Sequence, residues 1–392
     1  VQEKPKKQHQ KKINFHQNRR YQLLKVIISG GGTGGHIFPA IAIANALKEK
    51  YKLVDILFVG ALGKMEMEKV PAAGYPIEGL NISGLQRSFS LSNLAFPFKL
   101  FQSIKRSKQI IKSFKPDVVV GVGGFASGPL LYAASKMKIP ALIHEANSYP
   151  GITNKLLGNR VQTICVAYDN MEKYFPKEKL ILTGNPVRSD ILNLNGKRER
   201  GLEYFKLKDQ QKTLFVTGGS LGSKTINESI LKNLDLIASQ NIQLIWQTGK
   251  SFFSTAEAAV KPYENKGIYA YEFISKMDYA YAVADLVVSR AGAGAVAELS
   301  LVTKAAVLIP YPLAAEDHQT KNALALVNHN AAVLIKDAEA REKLGMVITE
   351  LMSNDEKRMK LEHQITQLAI RDSAEVIASE VYRLGTQNKK NK

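Results

Sequence analysis

Short runs of Val and Ile that end in glycine constrain this chain more than any other feature. KVIISGGG (25–32), VDILFVG (54–60), DVVVGVGG (117–124), PALIHEAN (140–147), TICVAY (163–168) and KLILTGNP (179–186) form one series. None alternates apolar with polar residues, so each reads as a strand buried on both faces, the habit of parallel strands. Helical stretches separate them, and that alternation predicts a doubly wound α/β sheet. The pattern then restarts with TLFVTGGS (213–220), IQLIWQTG (242–249), IYAYEFI (268–274), DLVVSRAG (285–292) and AAVLIPYP (305–312). The polar stretch NLNGKRERGLEYFKLKDQQ (193–211) lies between the two series. At 392 residues the chain is long enough for two such domains. The expected division is a disordered basic tail over 1–24, Rossmann-like domains over 25–189 and 190–365, and a closing helix with a basic tail over 366–392. Apolar residues at helical spacing over 356–384 carry that last expectation.

The formal net charge is +19, which raises the question of nucleic acid. Its distribution answers it. The first 25 residues carry eight Lys/Arg against one acid, residues 26–190 carry 20 against 11, and residues 191–388 balance 23 against 23. The second half is neutral, and no helix-turn-helix, zinc-finger or RNP pattern occurs, so no nucleic-acid partner is expected. A single cysteine, Cys165, excludes a disulfide framework and a Cys-based zinc site. The apolar run at 23–29 is too short for a secretory signal, and the longest uncharged window, 118–135, is broken by four glycines and Pro129.

Four glycine loops follow strands: 30–35, 121–128, 218–222 and 292–294. A strand, a tight glycine turn and a helix N-terminus together attract phosphate. Gly30, Gly32 and Gly35 match the dinucleotide fingerprint, and Asp55 lies twenty residues further on. Asp55 precedes ILFVG, however, and so sits at the wrong end of its strand to hold a ribose. Two sheets whose carboxyl edges face each other make a cleft with anion sites on both walls. That geometry suits a nucleoside diphosphate on one side and a second phosphorylated ligand on the other. No Asp-x-Asp follows a strand, so a departing diphosphate would rely on helix N-termini and Arg.

In order along the chain stand SGGGTGGHIFPAIAIA (29–44), GGFASGP (123–129), HEANSYPGITNK (144–155), GNPVR (184–188), GGSLGS (218–223), SRAGAGAVAEL (289–299) and EDHQTKNA (316–323). Together they closely resemble the MurG family of peptidoglycan glycosyltransferases, over about residues 26–380. The resemblance implies a GT-B fold and transfer of N-acetylglucosamine from UDP-N-acetylglucosamine to lipid I, undecaprenyl-diphospho-N-acetylmuramoyl-pentapeptide. The product would be lipid II, with a β1→4 bond formed by inversion. It further implies no cofactor or resident metal, an acceptor and membrane role for the first domain, and a donor role for the second. The protein would be peripheral on the cytoplasmic face of the inner membrane, among other cell-wall enzymes.

Carried over position by position, the resemblance places Thr33, Gly34, Gly35, Asn147, Arg188, Ser220, Ile274 and Gln319 on the donor. The stretch Ala293, Gly294, Ala295, Val296, Ala297 and Glu298 joins them. Gly123, Gly124, Phe125 and Ser127 form the acceptor loop. Chemistry gives several of these a reason of their own. Glu298, read within the first turn after a glycine loop, suits ribose hydroxyls or simply a helix cap. The planar fork of Arg188 suits a diphosphate, although a surface Arg fits the sequence too. Ser220 could cap a helix beginning near Leu221.

His36 follows Gly35 and precedes Pro39 at a helix start, where the dipole disfavours imidazolium. Three roles are open to it: the base that deprotonates the attacking hydroxyl, a group that binds the acceptor's diphosphate or orients the loop, or a purely structural histidine. Glu145 is the reserve base. Residues 79–116 contain no acid and set Ile82, Leu85, Phe89, Phe96, Phe98 and Phe101 among Arg87, Lys105, Arg106 and other cations. That mixture suits an anionic membrane surface; a helix pair with a buried apolar side is the alternative. Diacylglycerol glycosyltransferases and UDP-N-acetylglucosamine 2-epimerases are the rival enzyme classes.

Overall fold

The computed structural model describes residues 23–83 and 96–390. Two parallel sheets form its two domains. The first has seven strands in the order β3-β2-β1-β4-β5-β6-β7: β1 (Leu24–Gly30), β2 (Val54–Ala61), β3 (Ile77–Leu80), β4 (Val118–Gly123), β5 (Ala141–Glu145), β6 (Thr163–Val166) and β7 (Leu180–Leu182). The second has six, in the order β10-β9-β8-β11-β12-β13: β8 (Thr213–Thr217), β9 (Gln243–Gln247), β10 (Ile268–Tyr271), β11 (Leu286–Ser289), β12 (Ala306–Leu308) and β13 (Val333–Leu334).

The Val/Ile runs need no alternation because helices cover both faces of each sheet. Val26, Ile28, Val118 and Val120 pack on one side of the first sheet with Ile37, Ile43 and Leu47 of the Gly34–Lys50 helix. Ile27, Val119 and Ile143 point the other way, against Leu130 and Leu131 of the Ser127–Lys136 helix. In each sheet the strand order reverses beside the first strand of the series. The glycine loops after β1 and β4, and after β8 and β11, therefore open at the switch points where ligands bind.

The 356–384 periodicity hides a break. One helix covers Asp355–Thr366, with Leu361 in the core of the second domain. The chain then crosses over, and the Ser373–Lys390 helix packs Ile377, Ala378, Val381 and Leu384 into the core of the first domain. The helix approaches closely there: a Cβ on Gly385 would lie 2.4 Å from Leu24 Cδ1, so that side chain would have to move.

The expected membrane patch divides. On the Phe96–Phe114 helix, Ser103, Ser107, Ile110 and Ile111 form the buried face. Phe98 (65% exposed) and Phe101 (67%) stand outside with Lys105 and Arg106, and Phe96 is half-buried. Ile82 does not belong to the patch: it is buried beside Leu80 and Ile110, because the chain there is still leaving the sheet. Leu85 and Phe89 lie outside the described residues. Among the described residues no helix is long and apolar enough to cross a membrane.

Candidate active site

The glycine loops after β1 and β4 interlock. The Gly31 N–H donates to the Gly123 carbonyl at 3.3 Å, and a Cβ on Gly124 would lie 2.3 Å from the Gly31 oxygen. Glu66, which opens the Glu66–Ala72 helix, is buried beneath this pair and accepts from the N–H groups of Gly32 (2.9 Å) and Ala61 (3.0 Å). Its carboxylate fills the space where a Gly31 side chain would stand. Sequence reading missed Glu66, whose only signal was an acid at a helix start. Thr33 is the N-cap of the Gly34–Lys50 helix, yet its hydroxyl makes no capping bond. The Thr33 hydroxyl and the first helical N–H groups, those of Gly34 and Gly35, therefore face the cleft uncommitted to a side-chain cap.

His36 stands half-buried in the first turn of that helix, with Nδ1 3.1 Å from the Gly31 carbonyl. A carbonyl can only accept, so Nδ1 carries the proton and Nε2 presents its lone pair. The ring lies against Gly123, where a Cβ would approach Nε2 to 2.7 Å. Burial lowers the His36 pKa below 6.5, outweighing the opposing pull of Glu145 and the Gly31 carbonyl. His318, from the other domain, lowers it further. A neutral ring at pH 7 was expected; its leading cause is loss of solvent.

Glu145 is occupied. Its Oε1 accepts from the Asn147 N–H (3.0 Å) and Nδ2 (3.2 Å), and its Oε2 from the Gly151 N–H (3.1 Å) and Asn154 Nδ2 (2.8 Å). Four donors on a buried carboxylate make it the anchor of the 145–154 loop and leave it poorly suited to be a base. Of the positions expected to form the acceptor loop, Phe125 is exposed, while Ser127 is buried at the start of its helix. Among the described residues eight buried side-chain polar atoms lack a hydrogen-bond partner. Seven of them, on Ser29, Ser127, His144, Asn154, Asn185, Arg188 and Asp190, lie along the carboxyl edge of the first sheet or just beyond it. Buried polar groups left without a protein partner call for water or a ligand to complete them.

The second domain supplies the facing wall. A Cβ on Gly222 would lie 1.9 Å from the Thr248 oxygen, so the 218–222 turn packs closely on the loop after β9. The Lys224–Lys232 helix is capped by Ser223, whose Oγ accepts from the Ile226 N–H at 3.3 Å. Ser220 is therefore not the cap, and it stands exposed in the turn. Around Gly292 and Gly294 a Cβ would meet nothing within 4 Å, which leaves the start of the Ala293–Val302 helix open to a close approach by a ligand.

Glu298 is the sixth residue of that helix, in its second turn, so the dipole argument and the capping alternative both fail. Its Oε2 accepts from the Tyr281 hydroxyl at 2.9 Å, and its Oε1 lies 3.9 Å from Arg188 Nε. Burial raises its pKa, while Arg188 and Tyr281 pull it back. Arg188 also lies 3.8 Å from Asp190, with its guanidinium 5.7 Å above the Phe38 ring. Phe38 and Tyr281 were not foreseen, and two residues expected to hold different parts of the donor face each other at 3.9 Å here. The Ile274 N–H, one of the backbone groups expected to meet the donor, is taken by Gln247 Oε1 at 2.8 Å. Gln319 Oε1 accepts from the Tyr311 N–H at 2.9 Å, so its oxygen is already engaged.

Comparison with known proteins now bears on this cleft. The glycosyltransferase family 28 N-terminal domain matches residues 26–166, and the glycosyltransferase family 28 C-terminal domain matches residues 213–377. A Flavobacterium psychrophilum protein is 51% identical over 361 residues, 92% of this chain and 97% of its own. One from Phocaeicola vulgatus is 52% identical over 368 residues, 94% of this chain and 98% of its own. Both are named UDP-N-acetylglucosamine--N-acetylmuramyl-(pentapeptide) pyrophosphoryl-undecaprenol N-acetylglucosamine transferase. The crystal structure of Acinetobacter baumannii MurG aligns with a TM-score of 0.73 at 28% identity, over 92% of this chain and 99% of that one. The chain belongs to the MurG family. Its two parallel-sheet domains are the GT-B architecture, which a Neisseria meningitidis UDP-GlcNAc 2-epimerase bound to UDP-GlcNAc shares at fold level only (TM-score 0.65, 16% identity, 92% of this chain and 100% of that one). Family membership separates this MurG-family chain from the epimerase and diacylglycerol glycosyltransferase readings.

Proposed function

We propose that the chain transfers N-acetylglucosamine from UDP-N-acetylglucosamine to lipid I, making lipid II. His36 Nε2 takes the proton of the attacking sugar hydroxyl as that oxygen bonds to C1 of N-acetylglucosamine. The C1–O bond to the diphosphate breaks from the opposite face, and UDP leaves with the electron pair, giving the β1→4 linkage by inversion. The open helix start at 292–294 and the Arg188 guanidinium take up the charge of the departing diphosphate. Arg188 and Glu298 stand 3.9 Å apart, too far for a hydrogen bond. The donor can therefore exchange them, with Arg188 turning to phosphate and Glu298 to the ribose while Tyr281 keeps the carboxylate in place. Thr33, Asn147, Ser220, Ile274 and Gln319 complete the donor site, and the 123–127 loop receives the acceptor.

The observation that carries this reading is the single hydrogen bond that leaves His36 Nε2 unprotonated between two interlocked glycine loops. Exposed Phe98 and Phe101 beside Lys105, Lys108 and Lys112 support a peripheral seat on the anionic cytoplasmic face of the membrane, where a lipid-linked acceptor lies. The test is incubation with radiolabelled UDP-N-acetylglucosamine and a short-chain lipid I analogue. Label in a lipid-linked disaccharide is expected, and label confined to free sugar would overturn the assignment.

A further inference from the structure

A buried asparagine of the second domain takes hold of the segment that carries Asn147. Asn322, in the His318–Val327 helix, is fully buried. Its Oδ1 accepts from the Ser148 N–H at 3.1 Å and the Ser148 hydroxyl at 3.2 Å. Its Nδ2 donates to Asn147 Oδ1 at 3.2 Å and to the Ala291 carbonyl at 3.4 Å. A side-chain amide offers two donors and an acceptor with two lone pairs, so Asn322 is saturated.

Polarity fixes its orientation. The Ser148 N–H can only donate and the Ala291 carbonyl can only accept, so Nδ2 must be the end turned to Asn147. The Asn147 amide is set from its other end as well, since its Nδ2 donates to Glu145 Oε1. One partner of Asn147 thus belongs to its own domain and the other lies across the cleft. At 3.2 Å the cross-cleft bond is near the limit for an N–H···O contact, and a domain displacement of about 1 Å breaks it.

We propose that Asn322 is a positioning residue that orients the Asn147 amide for the donor only while the two domains stand in this arrangement, so that closure of the cleft and recognition of the donor are one event. This rests on the reading of Asn147 as a donor contact.

Substitutions separate orientation from a mere tie between domains. Asn322→Ala removes the donor to Asn147. Asn322→Asp keeps an acceptor for Ser148 but has no N–H to offer. Ser148→Ala removes one contact to Asn322 and leaves its bond to Asn147 intact. In the radiolabelled transfer assay, Asn322→Ala and Asn322→Asp should lower kcat/KM for UDP-N-acetylglucosamine about tenfold. Ser148→Ala should stay within about twofold. In an Asn147→Ala background, Asn322→Ala should add less than about twofold. Equal losses in Ser148→Ala and Asn322→Ala, or additive losses in the double variant, overturn the proposal. If the buried carboxylate of Asn322→Asp prevents folding, Asn322→Ala, Ser148→Ala and the double variant still decide. An inactive unsubstituted protein would instead overturn the transferase reading, whereas an active one indifferent to Asn322→Ala overturns only the role of Asn322.

Discussion

The Nδ1 nitrogen of His36 lies 3.1 Å from the carbonyl oxygen of Gly31. That contact ties the protonation state of a ring to the path of a glycine loop. The loop keeps its path because Glu66 fills the space beside Gly31 and because Gly123 and Gly124 have no side chains to push it away. This wall of the cleft is thus built around one nitrogen lone pair.

Glu145 should act on His36 from a distance. In Glu145→Gln, one of the oxygens is replaced by an N–H donor that faces donors, so stability should fall by about 2 kcal/mol, read from urea midpoints. Its negative charge raises the His36 pKa; without it, the acid limb of the rate profile should move to lower pH. Abolition of the acid limb together with turnover would make Glu145 the base.

His144 should make the fold sensitive to acid. Burial holds its pKa at about 4, against 6.5 for a free imidazole. Between those values the unfolded chain binds the proton and the folded chain does not, so stability rises with pH across the window. The contribution of about 3 kcal/mol is fully present above pH 6.5 and is lost as pH falls toward 4. Denaturation midpoints at pH 7.5, 6 and 5 should decline, and His144→Gln, which can still donate to the Gly184 carbonyl, should flatten the decline. An unchanged slope in His144→Gln would contradict this assignment.

The outward face of the Phe96–Phe114 helix should bind anionic vesicles, and binding should weaken as salt rises. Removing Phe98 and Phe101 together, each replaced by Ser, should lower partitioning at least about tenfold. Arg106 should contribute less than the neighbouring lysines because Glu78 already pairs it at 2.9 Å. Binding that ignores both salt and the two phenylalanines would refute the membrane seat.

What the sequence revealed and what it concealed follow from local physics. The central strands were legible because a strand buried on both faces must be apolar throughout, and Val118, Val119 and Val120 could hardly be anything else. Strands β3 and β13 were not, since four and two residues at sheet edges leave no such run. The helix starts were misplaced in opposite directions: the 218–222 turn runs on to Ser223, which caps the helix in place of Ser220, whereas the second helix already begins at Ala293 inside its glycine motif and so carries Glu298 into its second turn. Glu66, Gln247 and Asn322 were invisible for a different reason. Each acts through a partner distant in sequence, and no spacing rule encodes a contact such as Asn322 with Ser148. Periodicity over 356–384 concealed the crossover because apolar residues recur at helical spacing through both helices, each burying them against a different domain.

The base assignment of His36 is the centre of this account, and steady-state transfer by His36→Ala between pH 5 and 9, beside donor binding, tests it most directly. In the unsubstituted protein kcat/KM should fall on the acid side through a pKa below 6.5, since only the neutral ring can accept the proton. His36→Ala should lose turnover by about 100-fold or more, lose that acid limb, and bind UDP-N-acetylglucosamine as before. Near-normal turnover in His36→Ala, with the acid limb intact, would contradict it.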